Sequence, residues 1–197
     1  MFETFFLCDS FRNFSAALHV NKTKIMKITI YIAISANGFI SNSRNAPDWL
    51  SPEYSQGLVK ICHKTKAVIM GKTTYNIIAP DYLPLKSEGI TVVLTSDTHA
   101  NPANSTVVFT SDKANEIVAM LEEKGFKEAV IIGGALTISE FMNAGLVDDV
   151  ILVVEPVFFG KGLPLFKNVE FESKMTLREI GKLNANTVQF HYQMRLR

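Results

Sequence analysis

An apolar run that ends on glycine and passes at once into a helix is the feature that most constrains this chain. Ala67-Val68-Ile69-Met70-Gly71-Lys72-Thr73-Thr74-Tyr75 reads as a buried parallel strand, a tight glycine turn and a helix start. The free N–H groups and positive dipole end of such a helix attract an anion. Lys72 adds a charge there, and Thr73 and Thr74 add hydroxyl donors. The same order recurs at Val130-Ile131-Ile132-Gly133-Gly134-Ala135. Strand–Gly–helix turns are routine in α/β proteins, but two such crossings in one small domain point to a phosphate-bearing cofactor.

The remaining elements fit around those crossings. Lys27–Ile34 is rich in β-branched residues and reads as a strand, ended by Ser35-Ala36-Asn37-Gly38. A polar loop follows to Pro47, and Ser51-Pro52-Glu53 supplies an N-cap and a first-turn proline. Further strands are expected at Ile90–Leu94, Thr106–Phe109, Ala129–Ile132 and Val150–Val154. A helix capped by Ser111-Asp112, with Ile117, Val118 and Leu121 on one side, should stop at Gly125. Met175–Ile180 and Val188–Leu196 alternate around Asn184-Ala185-Asn186 as an antiparallel hairpin would. Parallel βαβ units closed by a hairpin make one α/β domain with a mixed, mostly parallel central sheet flanked by helices.

Composition sets the outer limits. The chain has 197 residues, a length suited to one well-cored domain, and a net charge of +1, which gives no footprint for nucleic acid or a membrane surface. No apolar run reaches the roughly 20 residues that span a bilayer. Cys8 and Cys62 lack metal-ligand spacing and read as reduced thiols of a cytoplasmic protein. Residues 1–25 form a separate piece. Phe2, Phe5, Phe6, Phe11 and Phe14 sit among polar residues, and Glu3, Asp9 and Arg12 spoil a secretory signal. The segment reads as a loosely attached extension to a body at 26–197, with a short packed amphipathic helix as the alternative.

In open α/β sheets ligands bind beyond the carboxyl ends of the strands. Those ends are Ser35–Gly38, Gly71–Thr74, Leu94–Ser96, Gly133–Leu136 and Glu155–Gly162. The Gly-x-Gly-x-x-Gly fingerprint and a Walker loop are absent. His19, His63, His99 and His191 form no metal-type pair and read as incidental, so no metal is expected. No serine occupies a nucleophile elbow.

Val68–Tyr75 resembles the strand-to-helix segment by which dihydrofolate reductases bind NADPH phosphates, and Ile131–Ala135 resembles that fold's second glycine-rich cofactor turn. Val93-Leu94-Thr95-Ser96 is similar to its adenosine-side strand end, and Trp49 falls where the active-site loop carries a tryptophan. The resemblance is closer to the reductase domain of bacterial riboflavin-biosynthesis deaminase–reductases and its stand-alone relatives. The pieces that carry it are Ser35-Ala36-Asn37-Gly38, Trp49-Leu50-Ser51-Pro52, Gly145-Leu146-Val147-Asp148-Asp149 and Glu155-Pro156-Val157-Phe158-Phe159-Gly160-Lys161-Gly162-Leu163-Pro164-Leu165-Phe166. They span nearly all of 26–197 in the family's order. The resemblance implies a dihydrofolate reductase-like fold and NADPH as cofactor. It implies hydride transfer to a C=N or C=O of a small pyrimidine- or pteridine-like heterocycle, of the 5-amino-6-(5-phosphoribosylamino)uracil reductase type. A non-catalytic NADP(H)-binding sensor or assembly partner is the alternative.

The resemblance places the cofactor on Ala33, Gly71, Lys72, Thr73, Thr74, Leu94, Thr95, Ser96, Gly133, Gly134, Ala135 and Leu136. Lys72 would meet the 2′-phosphate with help from Ser96, whereas Asp97 would repel it. Glu155, at a strand end on the cleft edge, is a catalytic candidate if burial raises its pKa, or else a structural carboxylate binding N–H groups. Asn37 is the second candidate by position, though the family usually has aspartate there and an amide cannot hold a proton. Trp49, Asp48 and Phe159 are the substrate-side candidates; Trp49 is a lid or a loop anchor. The acid that binds pteridine in dihydrofolate reductases has no match, since Tyr54 and Ser55 occupy its region and Glu53 is offset. The deaminase's zinc-binding Cys/His pattern is not in this sequence. A homodimer is expected, hiding apolar residues of Val150–Val154 and the Val157–Phe166 loop, unless Phe190 and Tyr192 of the hairpin cover them.

Overall fold

The computed structural model describes residues 26–82, 88–97 and 106–195, so the reading of 1–25 lies outside the described residues. The elements in chain order are β1 (Lys27–Ser35), β2 (Phe39–Asn42), α1 (Pro52–Thr65), β3 (Ala67–Gly71), α2 (Lys72–Tyr82), β4 (Ile90–Leu94) and β5 (Val107–Thr110). There follow α3 (Ala114–Glu123), β6 (Glu128–Ile131), α4 (Ala135–Asn143), β7 (Asp149–Glu155), β8 (Gly162–Pro164), β9 (Met175–Lys182) and β10 (Val188–Met194). Eight strands form one sheet in the order β5-β4-β3-β6-β1-β7-β10-β9, and β2 pairs with β8 in a small antiparallel sheet. From β5 to β7 every pairing is parallel; β10 then runs antiparallel to β7 and β9 antiparallel to β10.

Strand alternation sorts the core into two layers. Ile28, Ile30 and Ile32 of β1 pack with Ile117 and Leu121 of α3 and with Ile138 and Phe141 of α4. Tyr31 and Ala33 point the other way, to Tyr54, Leu58 and Cys62 of α1. A strand covered on both faces must be apolar at every position, and Ala67, Val68, Ile69 and Met70 of β3 are all fully buried. The Cys62 thiol sits in this second layer, where burial pushes its pKa up to about 12.

Three local details differ from the sequence expectation. The polar loop after Gly38 contains β2, whose partner β8 lies far along the chain, so neither strand carries a local signal. Helix α3 is capped at Lys113, whose side chain cannot accept. The Glu116 carboxylate reaches back to the Lys113 N–H at 2.8 Å, and Glu140 of α4 takes the Ala114 N–H at 3.1 Å. His191 is not incidental. Its Nε2 lies 3.1 Å from Asp149 Oδ1, while the Lys27 ammonium stands 2.6 Å from Oδ2. This buried carboxylate joins β1, β7 and β10 and raises the Lys27 pKa through hydrogen bonding and charge.

The last hairpin carries a bulge. Glu179 pairs with His191 and Leu177 with Tyr192, so Arg178 has no ladder partner and its guanidinium bonds Gln193 instead. The extra residue resets the alternation, and Met175, Leu177 and Ile180 thereby pair across to Met194, Tyr192 and Phe190 on one face. All three are exposed.

Tyr31 provides a test of the α1 layer. Its ring stacks on Tyr54 at a centroid distance of 5.2 Å, and its hydroxyl donates to the Tyr54 carbonyl at 3.2 Å. A Cβ on Gly57 would collide with that hydroxyl, whereas the nearest ring carbon is 3.1 Å away. Gly57→Ala is expected to cost about 1–3 kcal/mol of stability in chemical denaturation, and distinctly less in a Tyr31→Phe background. Equal costs in both backgrounds would break the argument.

Candidate functional site

A cleft of about 790 Å³ crosses the carboxyl edge of the sheet from β5 to β1. Its centre is the meeting of the two glycine turns. Gly71 donates its N–H to the Gly133 carbonyl at 3.2 Å. A Cβ on Gly134 would come within 3.3 Å of the Gly71 nitrogen and 3.4 Å of its Cα, and a Cβ on Gly71 within 3.2 Å of Thr137 Oγ1. Gly133 and Gly134 have φ of +147° and +88°, a region that L side chains rarely adopt. Close packing and backbone conformation therefore both demand glycine at these turns.

Two helix starts open on this centre. Helix α2 begins directly at Lys72, and α4 begins after Gly134, which has no side chain with which to cap it. Their first N–H groups face the cleft with an uncompensated positive dipole end. The Lys72 ammonium rests 3.9 Å from the Phe109 ring centroid and 5.3 Å from that of Tyr75, and these rings themselves meet edge to face at 5.3 Å. No carboxylate among the described residues pairs with Lys72. A cation held by rings keeps its charge available to an anion.

All twelve residues expected to hold the cofactor line this cleft: Ala33, Gly71, Lys72, Thr73, Thr74, Leu94, Thr95, Ser96, Gly133, Gly134, Ala135 and Leu136. Trp49 lines it too, at the end over β1, together with Ser41, Asn45, Leu50 and Tyr54. The other substrate-side candidates stand back from the lining. Asp48 is exposed and pairs with Arg44 at 3.1 Å, and Phe159 supports Trp49 edge to face at 5.3 Å.

The two catalytic candidates also lie outside the lining and hold backbone in place. Glu155 is 1% exposed. Its Oε1 accepts from the Ser51 N–H at 3.0 Å and the Ser51 hydroxyl at 2.7 Å, and its Oε2 accepts from Thr187 Oγ1 at 2.9 Å. Ser51 is the N-cap of α1, so Glu155 fixes where that helix starts, directly after Trp49 and Leu50. Asn37 donates from Nδ2 to the Phe159 carbonyl at 2.8 Å, while its Oδ1 accepts from the Phe159 N–H at 3.2 Å and from Ser35 Oγ at 2.8 Å. Donation to the Phe159 carbonyl and acceptance from the Phe159 N–H together require an amide; a carboxylate would set an oxygen against that carbonyl.

Sequence reasoning missed Asn45, Tyr54, Thr137 and Glu140 as lining residues. Asn45 adopts φ +55° in the left-handed region, which its side-chain type tolerates. An asparagine within the loop that carries the tryptophan was its one visible signal. Glu53 turns away to accept from Asn184 Nδ2 at 2.9 Å, a bond that lowers its pKa. The floor is instead Tyr54, whose phenol burial holds protonated well above its usual range.

A mostly parallel sheet flanked by helices on both faces, closed by an antiparallel hairpin and carrying two glycine turns at its carboxyl edge, has the dihydrofolate reductase-like fold. The chain belongs to the RibD C-terminal domain family, whose model matches residues 26–189. It is 28% identical over 172 residues to the uncharacterized protein YwjB of Bacillus subtilis, covering 84% of this chain and 97% of that one. Among solved structures, a provisionally named riboflavin biosynthesis protein from Shewanella sp. PV-4 aligns with TM-score 0.75 and 24% identity, covering 87% of this chain and all of the other. The diaminohydroxyphosphoribosylaminopyrimidine deaminase/5-amino-6-(5-phosphoribosylamino)uracil reductase of Thermotoga maritima aligns with TM-score 0.71 and 17% identity, covering 87% of this chain and 57% of that one. Both confirm the fold.

Trp49 is the only tryptophan of the chain, so its emission reports on the cleft wall directly. Asn37→Asp is expected to lower stability by about 1 kcal/mol and to shift the Trp49 emission maximum, because the Phe159 backbone loses its donor. An unchanged emission spectrum in a folded Asn37→Asp protein would remove Asn37 from the support of Trp49.

Proposed function

We propose that this chain is an NADPH-dependent reductase acting on a C=N or C=O bond of a small heterocycle. The observation that carries the reading is the convergence of two uncapped helix starts and Lys72 on a single cleft, across turns where any Cβ would fill the space. The glycine cradle fits a pyrophosphate, and Lys72 with Thr95 and Ser96 fits a 2′-phosphate. NADPH supplies a hydride donor when bound there.

In this reading the chain's own residues bind and orient. The α2 and α4 N–H groups and the threonines take the phosphates, Ala33 and Gly133 shape the floor of the ring end, and Trp49 excludes water over the acceptor. Glu155 and Asn37 act as positioning residues, the first through Ser51 and α1, the second through Phe159. A second reading, a non-catalytic NADP(H)-binding protein, draws on the engagement of both those side chains in structural bonds. Acceptor-dependent oxidation of NADPH separates the two.

Two further features complete the proposal. The exposed apolar face of β9 fits docking of a second copy of the chain, while β10 hydrogen-bonds along the edge of β7. No helix among the described residues is long and apolar enough to cross a membrane, and a thiol kept as buried Cys62 suits a cytoplasmic setting.

Lys72→Ala is expected to weaken NADPH by about 1–3 kcal/mol in titration calorimetry while leaving NADH nearly unaffected. Equal weakening of both cofactors would move Lys72 off the 2′-phosphate. With Tyr54 where folate reduction needs an acid, dihydrofolate turnover should be negligible and methotrexate binding weak. Tight methotrexate binding would overturn that exclusion. Sedimentation should give twice the 21.9 kDa chain mass, and Leu177→Glu with Ile180→Glu should return it to the single mass. A single-mass species in the unaltered protein would defeat the dimer.

A further inference from the structure

We infer that the turn of the β9–β10 hairpin positions the tryptophan wall of the cleft. Asn184 and Thr187 are the positioning residues, acting through Glu53 and through the Glu155–Ser51 pair. The inference goes beyond the reductase reading, because it concerns how the wall is held and not what the cleft binds. Among the described residues none from β9, β10 or their turn lines the cleft. The hairpin nevertheless reaches the wall from behind by two separate routes.

The first route is buried. Thr187 and Glu155 are each 1% exposed. The Thr187 hydroxyl donates to Glu155 Oε2 at 2.9 Å, and Oε1 accepts from both the N–H and the hydroxyl of Ser51. Ser51 Oγ in turn accepts from the Tyr54 N–H at 3.2 Å and so caps α1. Burying a carboxylate is costly unless its oxygens are satisfied, and here they are satisfied by tying together distant parts of the chain.

The second route joins two half-buried side chains. Asn184 Nδ2 donates to Glu53 Oε2 at 2.9 Å, while its Oδ1 accepts from the N–H groups of Asn186 and Thr187, both at 2.8 Å. One amide thus shapes the hairpin turn and fastens it to the first turn of α1. Both routes end at the residues just after Trp49. The Leu50 N–H bonds the Pro47 carbonyl at 3.1 Å, closing a turn around Asp48 and Trp49 that runs directly into Ser51. A displacement of Ser51 is therefore passed along a short, hydrogen-bonded stretch to the indole.

The test reads the emission and acrylamide quenching of Trp49 in the full chain without any ligand. Asn184→Asp keeps the acceptor that shapes the turn but sets a carboxylate against Glu53. It is expected to move the emission maximum to longer wavelength and to raise the quenching constant. Adding Glu53→Gln supplies a donor on the other side and is expected to restore the parental spectrum, which a loss of stability alone would not do. Thr187→Val is expected to give the same shift, and Thr187→Ser none. A folded Asn184→Asp protein with the parental spectrum, or a shift that Glu53→Gln does not reverse, overturns the inference, even where Thr187→Val fails to fold. NADPH binding, read by reduced-nicotinamide fluorescence, is expected to stay within about two-fold of the parent in Asn184→Asp, because the glycine cradle is held separately by β3 and β6. A larger loss marks general loosening and also overturns the inference. An unaltered protein that binds no NADPH counts against the reductase reading alone, since Trp49 is read without cofactor.

Discussion

The approach of two glycine turns to within hydrogen-bonding distance is the constraint on which the rest of this structure depends. Gly71 and Gly133 bring β3 and β6 together at the carboxyl edge, and Gly134 packs backbone on backbone against Gly71. Because no side chain intervenes, the helices that follow both start at the same place. Their positive dipole ends lie side by side at the cleft, and no arginine is among the residues that line it. Thr137 Oγ1 packs against both turns, 3.2 Å from where a Cβ on Gly71 would stand and 3.3 Å from where one on Gly134 would.

Around that centre the site is divided by chemistry. One portion holds charge, with Lys72 caged on Phe109 and Tyr75 and with the hydroxyls of Thr95 and Ser96 nearby. The other carries Trp49 and Tyr54, and its geometry is set from behind. Glu155 fixes the first residue of α1, and Asn37 grips the peptide of Phe159, which in turn backs Trp49. Buried or loop-bridging polar groups of this kind contribute through geometry, because each bond constrains a segment that otherwise has few contacts.

Much of this was legible in the chain. Strands buried on both faces must be continuously apolar, so β3, β4, β6 and β7 stood out, and the glycine that follows β3 and the pair that follows β6 located the cleft. The twelve positions that the resemblance assigns to a cofactor all line that cleft, since each sits within a few residues of a strand end. What escaped is non-local. The partner of β2 is some 120 residues away, as is the peptide that Asn37 clamps. Glu155 looks like an acid at a cleft edge until Ser51 and Thr187 are seen to consume its oxygens. His191 carries no periodic signal that could reveal its contact with Asp149, which lies diagonally across the β7–β10 pair. The α3 cap defeated the usual rule because its acceptors come from Glu116 and from another helix.

The bulge at Arg178 has a consequence for how this molecule meets others. Strand β9 ends the sheet, and an uncovered edge normally invites a neighbouring strand to add on by backbone hydrogen bonding. A doubled residue breaks the even spacing of N–H and C=O groups along that edge and increases its coil, while Arg178, Glu179 and Lys182 stud it with charge. Open-ended strand stacking is therefore obstructed at the very place where apolar side chains are most exposed. The same insertion that gathers Met175, Leu177 and Ile180 onto one face confines contact to that face, favouring closed, finite association over fibrous growth.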